Sequence, residues 1–273
     1  MRHLPLFTEP GCFVAVFILL FQTKPGLGQK HDIDSLYQKQ TFDTTKITGN
    51  VSVSGLIQSG NENRTVASLL SELTIGNKEY EVLPLTSIAY STKPHATVEN
   101  EYLENVIIRY HQKKTFYPAM GLSFEKSLLR KIDYRTSFSL TGVCNIVNKN
   151  NQTLKLGLGL NYEITHYTSN AFLLPSNEVD DNFNRHLKQA YARLKGRNTF
   201  FKSIIILSYD FFYQPNLENF PDYRWTLIGN LDIRMNKLLS FRVSAVDSYE
   251  AIVAQSVHKN NFRLTYGLNI SFK

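Results

Sequence analysis

The last thirteen residues of the chain, Asn261 to Lys273, constrain its fold more than any other stretch. Their sequence, NFRLTYGLNISFK, has an apolar residue at every even position and a polar residue or glycine at every odd position. Because side chains alternate across a β-strand, this pattern predicts one long strand with an apolar face and a polar face. Strands of globular proteins average about 5 to 6 residues, whereas a tilted membrane-crossing strand needs about 9 to 11. The length therefore favours a strand that crosses a membrane.

The same alternation recurs upstream and predicts about twelve strands. It is clearest from Leu154 to Ile164, where five leucine and isoleucine residues and one tyrosine alternate with polar residues and glycines. It is weaker in the first half, where Leu69-Leu70 and Val106 to Ile108 interrupt it. The predicted strands are 47–59, 64–76, 79–91, 101–112, 114–127, 131–147, 151–165, 186–196, 199–214, 222–235, 239–250 and 260–273.

The connections between these strands alternate in length. Those after the even-numbered strands are short, whereas those after the odd-numbered strands are mostly longer, above all 168–184 and 251–260. Short periplasmic turns and longer outer loops are typical of a transmembrane β-barrel. An even number of strands also returns both termini to the periplasm. The predicted short turns are 76–78, 112–113, 148–150, 196–198 and 236–238.

One hairpin allows a prediction of register. A three-residue turn, Asn236 to Leu238, sets Ile233 opposite Phe241 on the apolar face and Asp232 opposite Arg242 on the polar face. A two-residue turn would mix the two faces, because side chains alternate with a period of 2. The turn is therefore expected to contain an odd number of residues.

Two prolines conflict with unbroken strands. Pro84 and Pro118 lie within predicted strands, and a proline cannot donate a ladder hydrogen bond. Both follow a short turn by a few residues, so we expect bulges near the periplasmic rim to accommodate them.

The width of the barrel indicates which face is outside. About twelve strands enclose more space than apolar side chains fill, so we expect the apolar faces to point outward and the polar faces to line a lumen. The alternative is a soluble lipocalin-like periplasmic barrel with an apolar ligand inside. Aromatic residues near predicted strand ends fit membrane-interface girdles: Tyr209, Phe211, Tyr213, Tyr223, Trp225 and Phe262. The predicted lumen-lining residues are Arg135, Lys155, Glu163, Lys202, Asp210, Arg224, Asp232, Arg234, Arg242 and Arg263.

The amino terminus is expected to be an export signal. A basic start precedes the apolar run Cys12 to Phe21, which is too short to cross a membrane as a helix, and Gly26 to Gly28 offers a small-residue cleavage site. The predicted organisation is a signal peptide (1–28), a periplasmic lead-in (29–46) and a barrel (47–273). Cleavage removes two cations and one carboxylate, which lowers the net charge from +7 to +6. Only Cys144 remains after cleavage, so no internal disulfide is expected.

The basic charge has two interpretations. It favours anionic partners, namely lipopolysaccharide and other outer-membrane lipids or small anionic solutes, or it is an excess of solvated surface charge without a partner. It does not favour nucleic acid, because the basic residues are spread over strand faces and form no patch. The terminal strand is expected to bind the barrel-assembly machinery.

The lumen charges have two interpretations, an open pore that favours anions and an interior plugged by pairs such as Asp232 with Arg242. No cofactor is expected.

Catalysis is a further alternative. His166 and His186 flank the longest loop and could serve an outer-membrane lipid-modifying enzyme, an acyl hydrolase or transferase, but no short motif links a serine to either histidine. The acidic segment Glu178 to Asp181 in that loop lacks the ligand spacing of a calcium site and is expected to be a solvated tip.

The first hairpin carries a family resemblance. Gly55 to Thr65 reads GLIQSGNENRT, in which a strand ends in Ser-Gly-Asn with a second Asn and a Thr nearby. With the signal sequence and the terminal pattern Gly267 to Phe272, it resembles the salt-induced outer-membrane proteins, a domain of unknown function in Gram-negative bacteria. The resemblance covers about 47 to 273. It implies an outer-membrane β-barrel and no catalytic residue or ligand. The sequence thus favours a non-enzymatic channel or envelope-integrity protein in the outer membrane.

Overall fold

Twelve antiparallel strands form a closed barrel, in which each strand pairs with its sequence neighbours and β1 pairs with β12. The structure, a computed structural model, describes residues 45–58, 64–77, 79–93, 96–168, 171, 183–255 and 257–272. The predicted signal peptide and nearly all of the lead-in lie outside these residues. In the described ranges, no helix is both long enough and apolar enough to span a bilayer. The strands are β1 (Lys46–Gln58), β2 (Arg64–Gly76), β3 (Tyr80–Lys93), β4 (Ala96–Tyr110), β5 (Phe116–Ser127), β6 (Ile132–Lys149), β7 (Gln152–Tyr167), β8 (Asn184–Phe200), β9 (Ile205–Pro215), β10 (Tyr223–Arg234), β11 (Leu239–Glu250) and β12 (Asn260–Phe272).

The apolar faces of the strands point outward. In β12, Leu264 is 58 % exposed and Ile270 is 49 % exposed, whereas the adjacent Asn269 is only 3 % exposed. The prediction of a transmembrane barrel with apolar residues outside is therefore confirmed. The alternative of a soluble barrel with an apolar ligand in its lumen is wrong, because its outer wall would have to be polar.

Aromatic side chains form a continuous group on the outer wall at the loop ends of β9, β10 and β11. The Tyr213 and Tyr223 ring centroids are 5.9 Å apart, and Tyr223 stacks on Tyr249 at 5.3 Å. Trp225 stacks on Tyr249 at 6.5 Å. Such aromatic bands mark the interface between the hydrocarbon core and the headgroups.

The predicted hairpin register is confirmed. Ile233 pairs with Phe241 and Asp232 pairs with Arg242, as parity requires. The longest connections, measured between strand ends, follow β7, β9 and β11, on the outer side. The connection after β3 is shorter than predicted, because β3 extends to Lys93 and β4 already begins at Ala96.

The two prolines are accommodated without bulges, so that expectation is wrong. The β2–β3 register is the same on both sides of Pro84, with the ladder interrupted at the intervening Leu73 and Thr74. Pro118 pairs with Gly142 in an unbroken register. A missing N–H therefore interrupts a ladder locally without an inserted residue.

Gly267 makes closure of the barrel possible. A Cβ atom added there would lie 2.1 Å from the Val53 carbonyl oxygen and 2.6 Å from the Ser54 Cα atom, so β1 and β12 could not approach. We expect Gly267→Ala to reduce the fraction of chain that refolds to the fast-migrating species on unheated gels. Gly229→Ala is the matched control, because an added Cβ there meets no atom within 4 Å. Equal refolding of the two variants would show that the β1–β12 seam tolerates the extra atom.

Candidate functional site

The register places most of the predicted lumen residues on the inward faces of their strands. Along each strand they alternate with the exposed apolar residues, which point outward. Lys202 is the exception, and its assignment to the lumen is wrong. It lies in the turn between β8 and β9 and is exposed. The turn comes later than predicted, because β8 continues to Phe200 instead of ending at 196. The inward residues are Arg135, Lys155, Glu163, Asp210, Arg224, Asp232, Arg234, Arg242 and Arg263.

An ion-pair network fills the lumen near its outer end. Arg135 on β6 donates to the Glu250 carboxylate on β11 at 2.6 Å, and its Nε lies 3.2 Å from Glu163 on β7. Arg224 on β10 also pairs with Glu163. A third carboxylate, Glu125, lies 3.4 Å from Arg135. We call this network the outer cluster: Glu125, Arg135, Glu163, Arg224 and Glu250.

The outer cluster crosses the lumen. Strand β6 is five strands from β11 in one direction around the barrel and seven in the other, so Arg135 and Glu250 reach each other from nearly opposite walls. The Arg135 side chain is 4 % exposed and that of Glu163 is 1 % exposed. Since side chains from opposite walls meet and exclude water, the barrel is closed at this level.

Connections between the strands add a second layer of closure above the outer cluster. The Gln255 amide, between β11 and β12, donates to the Ala171 carbonyl, between β7 and β8, at 2.7 Å. The Thr168 amide donates to the Lys131 carbonyl at 3.0 Å. An apolar cluster lies around these contacts, and it contains Ile132, Tyr167, Ala171 and Ala254, with Phe183 and Val257 packed against it.

A second group of charged residues lies near the periplasmic end of the lumen and contains more cations than carboxylates. Arg193 forms two hydrogen bonds to the Asp210 carboxylate, at 2.8 and 2.5 Å, and Arg109 pairs with Glu81 at 2.9 Å. Lys195 lies 3.5 Å from Asp210, and its side chain is 41 % exposed. We call this group the periplasmic cluster: Glu81, Arg109, Lys155, Arg193, Lys195 and Asp210.

Lys155 is the least neutralised member of the periplasmic cluster. It pairs directly with Lys195 across the β7–β8 ladder, and like charges in that position repel each other. Its amine lies 3.5 Å from the Tyr117 hydroxyl and 5.7 Å from the centre of that ring. Among the described residues it forms no ion pair. The periplasmic cluster thus contains four cations and two carboxylates.

A second buried network lies beside the seam that closes the barrel. Arg242 binds both oxygens of Asp232, at 2.7 and 2.9 Å, and donates to the Ser52 hydroxyl on β1 at 2.7 Å. Ser52 in turn donates to Asn269 at 2.8 Å. The sequence predicted the Asp232–Arg242 pair but not its link to β1. Because this network joins β10, β11, β12 and β1, it stabilises the seam.

The charges occupy only part of the lumen wall. The inward faces of β2, β3 and β4 carry apolar residues in the middle of the barrel. These residues alternate along their strands in step with Glu72, Glu81 and Arg109, which point inward, so they point inward as well. A charged wall therefore faces an apolar wall. The inward apolar residues are Leu70, Leu83, Leu85, Leu103 and Ile107.

The two histidines considered for catalysis lie on the outer wall. His166 Nδ1 is 2.9 Å from Asn184 Oδ1, and His186 Nδ1 is 3.1 Å from the Tyr162 hydroxyl. In the described part of the chain, neither imidazole hydrogen-bonds to a serine hydroxyl or a carboxylate. The described residues also contain no group of three potential metal ligands. The acidic segment Glu178 to Asp181 lies outside the described residues.

Residues 51–272 match the family described as "Protein of unknown function, DUF481", and the chain belongs to this family. The predicted membership in an uncharacterised barrel family is confirmed, whereas the link to salt induction stays a prediction. No curated protein matches the chain.

Several solved structures are similar to this chain. The translocator domain of autotransporter NalP from Neisseria meningitidis is 11 % identical, with a TM-score of 0.44, and the alignment covers 88 % of this chain and 91 % of that one. The NanC porin is 10 % identical, with a TM-score of 0.46 and coverages of 82 % and 99 %. The KdgM porin is 11 % identical, with a TM-score of 0.40 and coverages of 84 % and 100 %. At these identities and TM-scores, the similarities support no statement about function.

Proposed function

We propose that the protein is a gated, anion-favouring channel in the outer membrane of a Gram-negative bacterium, and that the described conformation is its closed state. The observation that carries this proposal is the unequal distribution of charge and exposure along the lumen. With Arg130, which pairs with Glu125, the outer cluster has three cations and three carboxylates, and Arg135 and Glu163 at its centre are buried. The periplasmic cluster has excess cations and includes the exposed Lys195. A ring of cations in a narrow polar passage favours anions over cations.

The nature of the closure supports gating rather than permanent filling. The outer end is closed by ion pairs, by contacts between the segments that connect the strands, and by the small apolar cluster around those contacts. Ion pairs can exchange partners with water when the connecting segments move, and such segments are the least stable elements of a fold. Each cation of the outer cluster also has a carboxylate on its own wall or on a nearby strand, which could receive it in an open state.

An envelope-integrity role without transport is the second candidate. The buried Arg242 network and the outer cluster would stabilise a closed barrel for that role as well. The two candidates differ in one property, because only the channel passes ions.

The reversal potential of the reconstituted protein tests the proposal. With a tenfold KCl gradient across a planar bilayer, openings should reverse at a potential set mainly by chloride. Openings that reverse near the potassium potential would reject an anion-favouring channel. A stably inserted barrel that never conducts, at any voltage, would leave envelope integrity as the better assignment.

A further inference from the structure

Three polar side chains form a row on the membrane-facing wall. Ser71 on β2 pairs with Thr86 on β3, and Thr86 pairs with Glu104 on β4. These positions share the parity of the outward Leu69 and Ile88, which are 37 % and 38 % exposed. The row therefore faces the lipid and not the lumen.

The row lies inside the apolar band and not at its edge. Leu69, Ile88 and Tyr102 follow it on the side of the outer loops. Pro84 and Val106, which pair with each other, follow it on the periplasmic side. The row is thus enclosed by apolar residues in both directions along the strands.

A carboxylate in this position is costly in contact with lipid. Charged residues on the lipid face of a barrel destabilise it, less for Glu than for Arg or Lys, and hydrocarbon offers no hydrogen-bond partner. Glu104 receives hydrogen bonds from the Thr86 hydroxyl at 2.6 Å and from the Tyr102 hydroxyl at 3.2 Å. Part of its hydrogen-bonding capacity remains, and the Ser71 hydroxyl forms no hydrogen bond with any described residue. Polar groups within the membrane are typical of contacts between membrane proteins.

We propose that a second copy of this chain covers the row, in a dimer whose two-fold axis runs along the membrane normal and passes near Thr86. A two-fold interface brings the same patch of both subunits together, so residues on opposite sides of the axis face each other. Glu104 then lies against β2 of the partner subunit, the strand that carries the Ser71 hydroxyl as a donor, on both sides of the axis. The two Glu104 carboxylates are kept apart.

Small residues beside the row would allow close approach. Gly55 on β1 pairs with Ala67 on β2, and both share the outward parity of Ser71. Small outward residues let two backbones approach within the membrane. The proposed interface does not depend on conduction, since it lies on the outside of the barrel and does not include the outer cluster or the periplasmic cluster.

Disulfide cross-linking in lipid vesicles tests the proposal. Thr86→Cys is introduced into the full chain after Cys12→Ser and Cys144→Ser, which remove both native cysteines. A residue near the two-fold axis lies close to its own copy, so mild oxidation should convert most of the protein to a disulfide-linked dimer. Leu160→Cys is the control, because this exposed outward residue lies on β7, far around the barrel. Equal cross-linking of both variants, or none of Thr86→Cys, would reject the dimer.

Glu104→Leu provides a second test that does not require a disulfide. We expect this variant to fold, as judged by heat-modifiable migration, but to sediment in detergent with the mass of one chain where the parent has the mass of two. A variant of unchanged mass and higher thermal stability would show that Glu104 contacts lipid, and the proposal would be wrong.

Discussion

Replacing Arg135 by alanine is expected to destabilise the barrel and to open its outer end. The substitution leaves the carboxylates of Glu163 and Glu250 buried without their shared cation. Removing one partner of a buried ion pair typically costs about 3 to 5 kcal/mol. The midpoint of unfolding in urea should therefore fall markedly. Because the contact between opposite walls is also lost, chloride should leave proteoliposomes several-fold faster than through the parent protein.

Arg234→Ala separates these effects from a simple loss of lumen charge. Arg234 lies on the inward face near the periplasmic end of β10 and forms no ion pair with any described residue. Its removal should change the urea midpoint little and should not accelerate chloride release. If Arg135→Ala behaves like Arg234→Ala in both assays, the outer cluster does not close the lumen.

Replacing Lys155 by glutamate is expected to reverse or abolish the preference for anions. Even in bulk water, a unit charge about 4 Å from a passing ion contributes about 1 kcal/mol, so reversing that charge changes the ion's energy by about 2 kcal/mol. This corresponds to more than a tenfold change in the ratio of anion to cation permeability. The reversal potential in a KCl gradient measures the ratio directly.

Lys237→Glu is the control for Lys155→Glu. It makes the same charge change on the same side of the membrane, but Lys237 is exposed in the turn between β10 and β11, outside the lumen. Its reversal potential should remain close to that of the parent. If both variants shift it equally, selectivity arises from the general charge of the periplasmic surface and not from the periplasmic cluster.

The strands and one register could be predicted from the sequence, because both follow from local alternation. The polar partners Asp232 and Arg242 were assigned from the parity of a short turn, and the structure pairs them. The last strand was equally clear, because its outward side is apolar from Phe262 to Phe272.

The turn between β8 and β9 could not be located from local pattern. Phe201, Lys202 and Ser203 adopt positive φ values of 49°, 54° and 67° without a glycine among them. The predicted turn at 196–198 contains Gly196, but that glycine is a strand residue that makes room for the Tyr209 ring. The glycine therefore reflected side-chain packing and not a turn, and Lys202 was assigned to the wrong location.

Contacts across the lumen could not be predicted from the sequence either. Arg135 and Glu250 are 115 residues apart, and their contact depends on the closure and stagger of all twelve strands. The outward position of Glu104 could not be predicted for a different reason. The apolar run Val106 to Ile108 interrupts the alternation beside it, so the lipid-facing side of β4 was not evident.

Single-channel recording of the double variant Arg135→Ala/Glu250→Ala beside the parent protein tests the central claim most directly. The double substitution removes one cation and one carboxylate, so the net charge is unchanged while the contact across the lumen is lost. The parent should open rarely, the double variant should open much more often, and both should favour chloride over potassium. Equal opening of the two proteins, or a preference for potassium in both, would contradict a lumen that is closed by the outer cluster and made selective by the periplasmic cluster.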